Sequence, residues 1–176
     1  SEVQRIGFGF TFEELELDLG DYTSSPVIED FVAANGDWFR SLNFNINWVK
    51  STLNRGIFAT RGTSQRLGID LAMPGSGLEF FKLTYKATHL RGLTRDFTLK
   101  LKADLGYGES FGDTSQMPFF KNFYAGGLGS VRGYEKYSLG PQNSMSQGYS
   151  RARPVGGNVQ IVLGAEVIFP LPFVKD

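Results

Sequence analysis

Six segments of this chain alternate apolar and polar residues with a period of two, and this alternation constrains the fold more than any other feature of the sequence. In the second segment, Leu42, Phe44, Ile46 and Trp48 alternate with asparagines. Successive side chains of a β-strand point to opposite faces of the sheet, so each segment is predicted to be a strand with one apolar and one polar face. The segments cover residues 6–12, 42–48, 66–71, 81–88, 97–105 and 159–167.

The length and chemistry of these segments favour a membrane protein over a soluble one. The longest of them alternate over nine residues, which matches the roughly 9–11 that a tilted strand needs to cross a bilayer, whereas strands of globular proteins average about 5–6 residues. Their polar faces carry charged residues at mid-strand, which need a wet interior because a charge facing lipid is costly. We therefore predict an all-β fold, an antiparallel transmembrane β-barrel. A soluble β-sandwich also produces alternation and stays open as an alternative.

The connections between the segments alternate in length. Residues 21–37 and 109–157 form long connections, whereas residues 54–62, 74–77 and 91–96 form short ones. In an antiparallel sheet the first and fifth connections lie at the same end, so the two long ones share a side, as the external loops of outer-membrane barrels do. No stretch of the sequence approaches the ~20 apolar residues of a transmembrane helix.

Composition excludes several classes of function. The 18 basic and 18 acidic residues give a formal net charge of zero, whereas nucleic-acid-binding proteins usually carry a basic excess. The chain has no cysteine and a single histidine, His89, so disulfides, thiolate metal sites and multi-histidine zinc sites are excluded within it. We therefore predict no cysteine or histidine catalysis, no metal site and no nucleic-acid partner.

One long segment carries a recognisable motif. Val131, Arg132, Gly133 and Tyr134 stand within the run MPFFKNFYAGGLGSVRGYEKYSLGP, residues 117–141. This run, followed by a strand that ends in AEVIFPLPF, resembles the sixth external loop of the outer-membrane assembly and surface-antigen superfamily, and its lead-in is most similar to that of the assembly factors. The resemblance extends over nearly all of the chain.

The resemblance implies a barrel of roughly sixteen strands, within the range of outer-membrane barrels. Residues 1–176 would be a partial outer-membrane barrel domain, in which the six segments are the seventh to twelfth strands and residues 109–157 are the external loop. Six such strands alone leave two unpaired edges, which a membrane barrel does not tolerate. The chain is therefore expected to be an excerpt of a longer protein with periplasmic domains upstream.

The resemblance also implies a function. The protein is expected in the bacterial outer membrane, where it would fold other β-barrel proteins and insert them into the bilayer. No catalytic residue, no cofactor and no enzymatic activity are expected, because this implied function makes and breaks no covalent bond. Its expected partners are the lipid bilayer, unfolded outer-membrane β-barrel substrates, and accessory lipoproteins that bind through the periplasmic domains. A related translocation barrel, either a two-partner secretion transporter or a TamA-type factor, remains an alternative. A passive porin is a further alternative.

Within this superfamily the loop folds back into the barrel, where its arginine meets acidic residues. Glu166 has the parity of Gln160 and Gly164, which places its carboxylate on the polar face, where it can accept the planar fork of a guanidinium. We predict that Arg132 approaches Glu166, and that Gly133 lets the backbone pack closely against the wall. The other interpretations are a solvated loop arginine and an interior glutamate without a fixed partner.

The residues that lead into the motif are expected to pack the loop. Their glycines are interpreted as positions of tight backbone packing. The glycine-rich run is not a phosphate-binding loop, because the dinucleotide fingerprint needs a glycine where Arg132 stands. The predicted loop-packing residues are Phe123, Tyr124, Gly126 and Gly127.

The charged residues of the strands allow two interpretations. Lysines on the polar faces would line either a hydrated wall that carboxylates balance, or a path for anions. An acidic cluster at the end of the first segment indicates an exposed strand end rather than a cation site. The lysines are Lys82, Lys86, Lys100 and Lys102, the balancing carboxylates are Asp70, Asp104 and Glu166, and the acidic cluster is Glu13, Glu14 and Glu16.

Overall fold

A computed structural model describes residues 2–18, 26–142 and 154–170. It contains a sheet of six strands, each antiparallel to its neighbours and ordered as in the sequence. This arrangement confirms the predicted antiparallel all-β fold. The elements are β1 (Val3–Glu16), α1 (Pro26–Asn35), β2 (Trp38–Ser51), β3 (Gly62–Ala72), β4 (Phe80–Gly92), β5 (Thr98–Ser110), a 3-10 helix (Phe119–Lys121) and β6 (Val159–Ile168).

Backbone pairing sorts the side chains of the sheet into an apolar face and a polar face. One apolar row crosses all six strands, and the polar row beside it begins at Gly9 and continues through Asn45, Asp70 and Lys82. Phe8 in the apolar row is 75% exposed, so no described residue covers this face at β1. The predicted alternation of faces is confirmed. The apolar row consists of Phe8, Ile46, Ile69, Leu83, Tyr107 and Val159.

The connections divide between the two ends of the sheet. Residues 17–37, 73–79 and 111–158 connect strands at one end, which we name the loop end. Residues 52–61 and 93–97 connect strands at the opposite end, which we name the turn end. The two longest connections therefore share an end of the sheet, as the sequence predicted.

The structure differs from the sequence analysis at the two long connections. The first contains α1, which the alternation pattern did not predict. This helix begins at Pro26, whose fixed φ suits a first helical turn, and ends at Asn35. The last connection spans residues 111–158 rather than 109–157, because β5 stays paired with β4 as far as Ser110. The described residues hold no helix that is both long and apolar enough to cross a membrane.

An apolar cluster covers the loop end of the polar face. Phe31 of α1 is 1% exposed, and its ring centroid lies 5.9 Å from that of Phe39 and 5.7 Å from that of Phe119. Phe39 and Phe80 belong to the face that is charged further along the strands, so this face becomes apolar at the loop end. The cluster therefore fixes α1 and the beginning of the long loop to the sheet. Its buried members are Phe31, Phe39, Ala72, Leu78, Phe80 and Met117.

Replacing Phe31 with alanine should detach α1 from the sheet. The change removes a buried ring that contacts three other aromatic rings, and a Phe→Ala change in a core costs about 3–5 kcal/mol. In the folded full-length protein, we expect faster proteolytic cleavage between β1 and β2 while the strands stay resistant. Val27→Ala, at an exposed position of the same helix, is the control. Equal cleavage of the two variants would contradict the anchoring role of Phe31.

Candidate functional site

The long loop folds back over the polar face of the sheet and has its own backbone pairing. The Phe123 amide donates to Gly157 O at 2.8 Å, and the Gly157 amide returns a hydrogen bond to Phe123 O at 3.0 Å. Further along the loop, the Leu139 amide donates to Ala125 O at 3.1 Å. The loop therefore has the pairing of a short antiparallel ribbon.

The Phe123 ring packs against Gly106 of β5, a position without a side chain. A Cβ atom added at Gly106 of β5 would lie 2.5 Å from the Phe123 ring, well inside van der Waals contact. The Lys82 Nζ atom lies 4.1 Å from the centroid of the same ring and donates a hydrogen bond to Lys121 O at 2.6 Å. The backbone of Gly106 and the ammonium group of Lys82 thus both hold the Phe123 ring in place. The ammonium group lies at a distance that is favourable for a cation–π interaction.

An ion pair ties the same part of the loop to β1. The Lys121 Nζ atom lies 3.0 and 2.7 Å from the two carboxylate oxygens of Glu13. The predicted exposed acidic strand end is wrong for Glu13, because Glu13 is half-buried and paired. Its parity with Gly9 placed it on the polar face, but its partner lies 108 residues away in the sequence.

Tyr124 fixes the backbone next to Phe123. Its hydroxyl donates to Val155 O at 3.1 Å, and burial raises the pKa of this phenol. The hydroxyl therefore stays protonated, and remains a hydrogen-bond donor, at neutral pH. The Tyr124 ring also lies 5.7 Å from the Tyr137 ring, measured between centroids. Phe123 and Tyr124 thus lie where the loop meets the sheet and where its two arms meet each other.

The motif residues form the turn at the far end of the ribbon. Gly126 has a φ of 112°, and a Cβ atom there would overlap Glu135 O, so only glycine fits this position. The Gly127 amide donates to Tyr134 O at 3.1 Å and closes the turn around residues 128–133. The Tyr134 side chain is exposed.

Gly133 does not make the contact that the sequence analysis expected. It was expected to let the backbone pack closely against the wall, but apart from its two chain neighbours no described residue lies within 4 Å of the position that its Cβ would take. Its φ of 89° is the reason for a glycine, because residues with a Cβ rarely adopt this conformation. The preceding Val131 is half-buried, whereas Arg132 is exposed.

Arg132 reaches the polar face and approaches Glu166 of β6. The Arg132 Nη2 atom lies 3.6 Å from Glu166 Oε1, and the arginine side chain is 68% exposed. The expected bidentate contact is not formed, since one nitrogen faces one oxygen at more than hydrogen-bond distance. An exposed ion pair of this kind contributes about 0–1 kcal/mol to stability.

Lys102 is the nearest partner of Glu166, and Lys100 lies as far from this carboxylate as Arg132 does. The Lys102 Nζ atom lies 2.7 Å from Glu166 Oε1, and the Lys100 Nζ atom lies 3.6 Å from Oε2. Backbone register explains these contacts, because Lys100 directly faces Glu166 across β5 and β6. Lys86 is likewise paired with Asp104 at 3.0 Å. Carboxylates therefore balance three of the four lysines, whereas Lys82 binds the carbonyl of Lys121, and the four do not form the row of unpaired ammonium groups that an anion path needs.

An open cavity of about 830 Å³ remains between the loop and the polar face. Its lining includes Lys82, Lys86, Tyr124, Tyr134 and the glycines that lead into the motif. In the described part of the chain, no three His, Cys, Asp or Glu side chains come close enough to hold a metal ion. Since the loop forms one wall of this cavity, the shape of the cavity depends on how the loop docks.

Replacing Gly106 with alanine should displace the loop. The new methyl group would meet the Phe123 ring at 2.5 Å, so either the ring or the strand must move, and overpacking of this kind typically costs about 1–3 kcal/mol. Gly164→Ala is a matched control on β6, because its Cβ would meet only the Lys102 side chain, at an ordinary 3.8 Å. We expect faster proteolysis of residues 111–158 in the folded full-length protein for the first variant alone.

A double variant tests whether the effect acts through the ring. With Phe123→Ala in place, nothing in the ring's position opposes a methyl group at Gly106, so adding Gly106→Ala should cause no further loss. The two changes are then strongly non-additive, as expected for residues in direct contact. If Gly106→Ala behaves like Gly164→Ala, or if its cost persists without the ring, the packing of Phe123 does not hold the loop.

Comparisons with known proteins identify relatives of this chain. A family model described as the Omp85 superfamily domain matches residues 1–176. The outer membrane protein assembly factor BamA of Neisseria meningitidis serogroup B is 33% identical over 185 residues, which cover 100% of this chain and 23% of that protein. The crystal structure of BamA from Haemophilus ducreyi lacking POTRA domains 1-3 matches with a TM-score of 0.81 and 26% identity, over 99% of this chain and 35% of that one.

This chain matches only part of the length of each relative. The chain spans 23% of the curated relative and 35% of the solved chain. Structural likeness extends over 99% of the present chain. The six antiparallel strands therefore correspond to part of a larger barrel.

Proposed function

The chain belongs to the Omp85 superfamily, and from this premise we propose that it is part of a barrel that folds other β-barrel proteins and inserts them into the bacterial outer membrane. The bacterial outer membrane is its location. The proposed role follows the name of the Neisseria relative, an outer membrane protein assembly factor, which is 33% identical to it.

The observation that carries the proposal is the loop docked on the polar face. Its contacts with Glu13, Lys82 and Glu166 fasten it to β1, β4 and β6. A passive channel needs an open interior, whereas this loop covers the face that would line the channel. Carboxylates also pair with Lys86, Lys100 and Lys102, which leaves less unpaired positive charge on this face for anion selection. These features favour an assembly role over a porin.

The proposed role requires no covalent bond to be made or broken, so the protein would act without catalytic residues. An unfolded β-barrel substrate would add its strands to a sheet edge, where backbone N–H and C=O groups are free to pair. The strands of this chain would supply a wall of the barrel whose apolar face contacts lipid, and the docked loop would brace the interior. Unfolded substrates, accessory lipoproteins of the assembly complex and the bilayer are the proposed partners.

Replacing Arg132 with alanine should slow substrate assembly while the barrel stays folded. Because the pair with Glu166 is long and exposed, we expect a loss of a few-fold in rate, which corresponds to about 1 kcal/mol or less. Glu166→Gln should have the larger effect, since Glu166 is the partner of three cations. The measurement uses full-length protein in liposomes and follows the heat-resistant gel band of a newly folded substrate barrel.

Two further variants serve as controls for Arg132. Lys136→Ala removes an exposed cation of the same loop, whose ammonium lies 4.7 Å from the Tyr137 ring centroid, and it should leave the rate unchanged. Arg132→Lys should keep most of the rate, because a single nitrogen makes the observed contact. A normal rate in the Arg132→Ala protein would remove this residue from the proposed mechanism.

The full-length protein should conduct ions poorly in planar bilayers, because the loop covers the polar face. Phe123→Ala removes the ring that sits on Gly106, so its conductance should rise above that of the parent. Gly164→Ala again provides the control, with unchanged conductance. A large, steady pore in the parent protein would favour a passive porin. A mostly closed barrel that fails to fold substrates would instead favour a translocation barrel of the same superfamily.

A further inference from the structure

Exposed arginines without ion-pair partners gather at the turn end of the sheet. Arg55, Arg61, Arg91 and Arg95 are all exposed there. None of the four forms an ion pair with any residue that the structure describes. The lysines of the polar face, in contrast, have carboxylate or carbonyl partners. The acidic residues described in the connections and outermost strand positions of the turn end are Glu2 and Asp96.

Two of these arginines stand side by side. Gly62 of β3 pairs with Leu90 of β4 in antiparallel register. Arg61 and Arg91 are the next residues beyond this pair, so they lie opposite each other on neighbouring strands. Like charges in facing positions destabilise a sheet. An anion between the two guanidinium groups would turn this repulsion into attraction, because each guanidinium has several donors that suit phosphate oxygens.

Arg91 and Lys50 border the apolar face of the sheet. Arg91 has the parity of Leu83, which belongs to the apolar row. Lys50 has the parity of Trp48 on the same face, and its ammonium lies 2.8 Å from Glu2 Oε1. The surface in contact with lipid acyl chains therefore continues directly into a band of positive charge.

The connection between β2 and β3 adds apolar side chains to this band. Ile57 is 76% exposed and Phe58 is 89% exposed, next to Arg55 in the sequence. A segment that combines large apolar residues with basic ones is typical of a membrane interface, where rings enter the headgroup region and cations bind phosphates. The turn thus has the chemistry of a lipid contact, in continuity with the apolar face.

The opposite border of the sheet has different charges. Glu14 and Glu16 are exposed near the loop end of β1. The cation described nearby, Arg40, is bound to Glu14, with the Nη2 atom 3.3 Å from Oε1. Unpaired positive charge therefore borders the apolar face at one end of the sheet, and this asymmetry assigns the two ends to different lipid surroundings.

We propose that the turn end is a binding surface for the headgroups of anionic phospholipids in the leaflet that it borders. The basic rim, defined as Lys50, Arg55, Arg61, Arg91 and Arg95, would hold the headgroup phosphates, while the acyl chains lie along the apolar face. Continuity with the lipid-facing surface favours a lipid over a soluble acidic protein as the occupant. The proposal depends on the outer-membrane location and is independent of the assembly role.

Trp48 provides a local probe, because it lies on the apolar face close to Lys50. Full-length protein is reconstituted in phosphatidylcholine bilayers that contain brominated phosphatidylglycerol or, for comparison, brominated phosphatidylcholine. The fluorescence of Trp48 is isolated by subtracting that of the Trp48→Phe protein. We expect phosphatidylglycerol to quench Trp48 with an apparent binding constant at least about fivefold higher. Trp38, at the loop end, is isolated in the same way and should show no preference.

Variants of the rim separate charge from other effects. Arg55→Gln, Arg61→Gln, Arg91→Gln and Arg95→Gln together should abolish the preference at Trp48, whereas lysines at the same four positions should retain it. Arg40→Gln, at the loop end, should leave the preference unchanged. A folded glutamine variant that still prefers phosphatidylglycerol would overturn the proposal.

The parent protein allows a test that needs no variant. Raising the salt concentration to about 0.5 M shortens the screening length to a few ångströms and should weaken the preference for phosphatidylglycerol. This measurement decides the matter if the glutamine variant fails to fold. Equal quenching of Trp48 by the two lipids at low salt, or a preference that does not respond to salt, would overturn the proposal and leave an acidic protein as the occupant of the rim.

Discussion

Every strand of this sheet meets two different solvents. Backbone N–H and C=O groups cannot remain unpaired in hydrocarbon, so the strands must lie side by side with their hydrogen bonds in register. In this register the row from Phe8 to Val159 faces away from the loop, and the row that begins at Gly9 lies on the loop's side. A slip of one residue would turn the charged residues of a whole strand toward lipid. The register therefore also fixes which side chains the loop can reach.

The docked loop connects strands that do not touch each other. It contacts Glu13 on β1 and Glu166 on β6, the two outer strands of the sheet. Two other features of the docked loop differ in kind. The Phe123 ring packs directly against the backbone of Gly106, whereas the contact of Arg132 with Glu166 is long and exposed. Packing at Phe123 thus sets the position of the loop, and the motif arginine adds charge complementarity to a position already fixed.

Alternation is a local property of the sequence, and it was enough to predict the six strands and their two faces. The approach of Arg132 to Glu166 needed strand parity together with a family resemblance. Its geometry differed because Lys102 already binds the same carboxylate oxygen at 2.7 Å, and strand register could not be derived from alternation alone. Gly106 has no side chain, so no pattern could mark it as the place where Phe123 rests. The helix α1 was not predicted because the alternation pattern identifies strands only. Phe31 is the residue of this helix that is buried against the sheet.

The length of the connection 111–158 affects the order in which the strands can pair. Hairpins with short connections, such as β2–β3 and β4–β5, close quickly, whereas closing a long loop costs more chain entropy and slows the pairing of β5 with β6. The bridge between Phe123 and Gly157 shortens the segment that must close, because it holds the chain entering β6 beside the sheet. A loop that docks early therefore speeds the addition of its own neighbouring strand. A loop that docks late leaves β5 as an open edge, available for pairing with other chains.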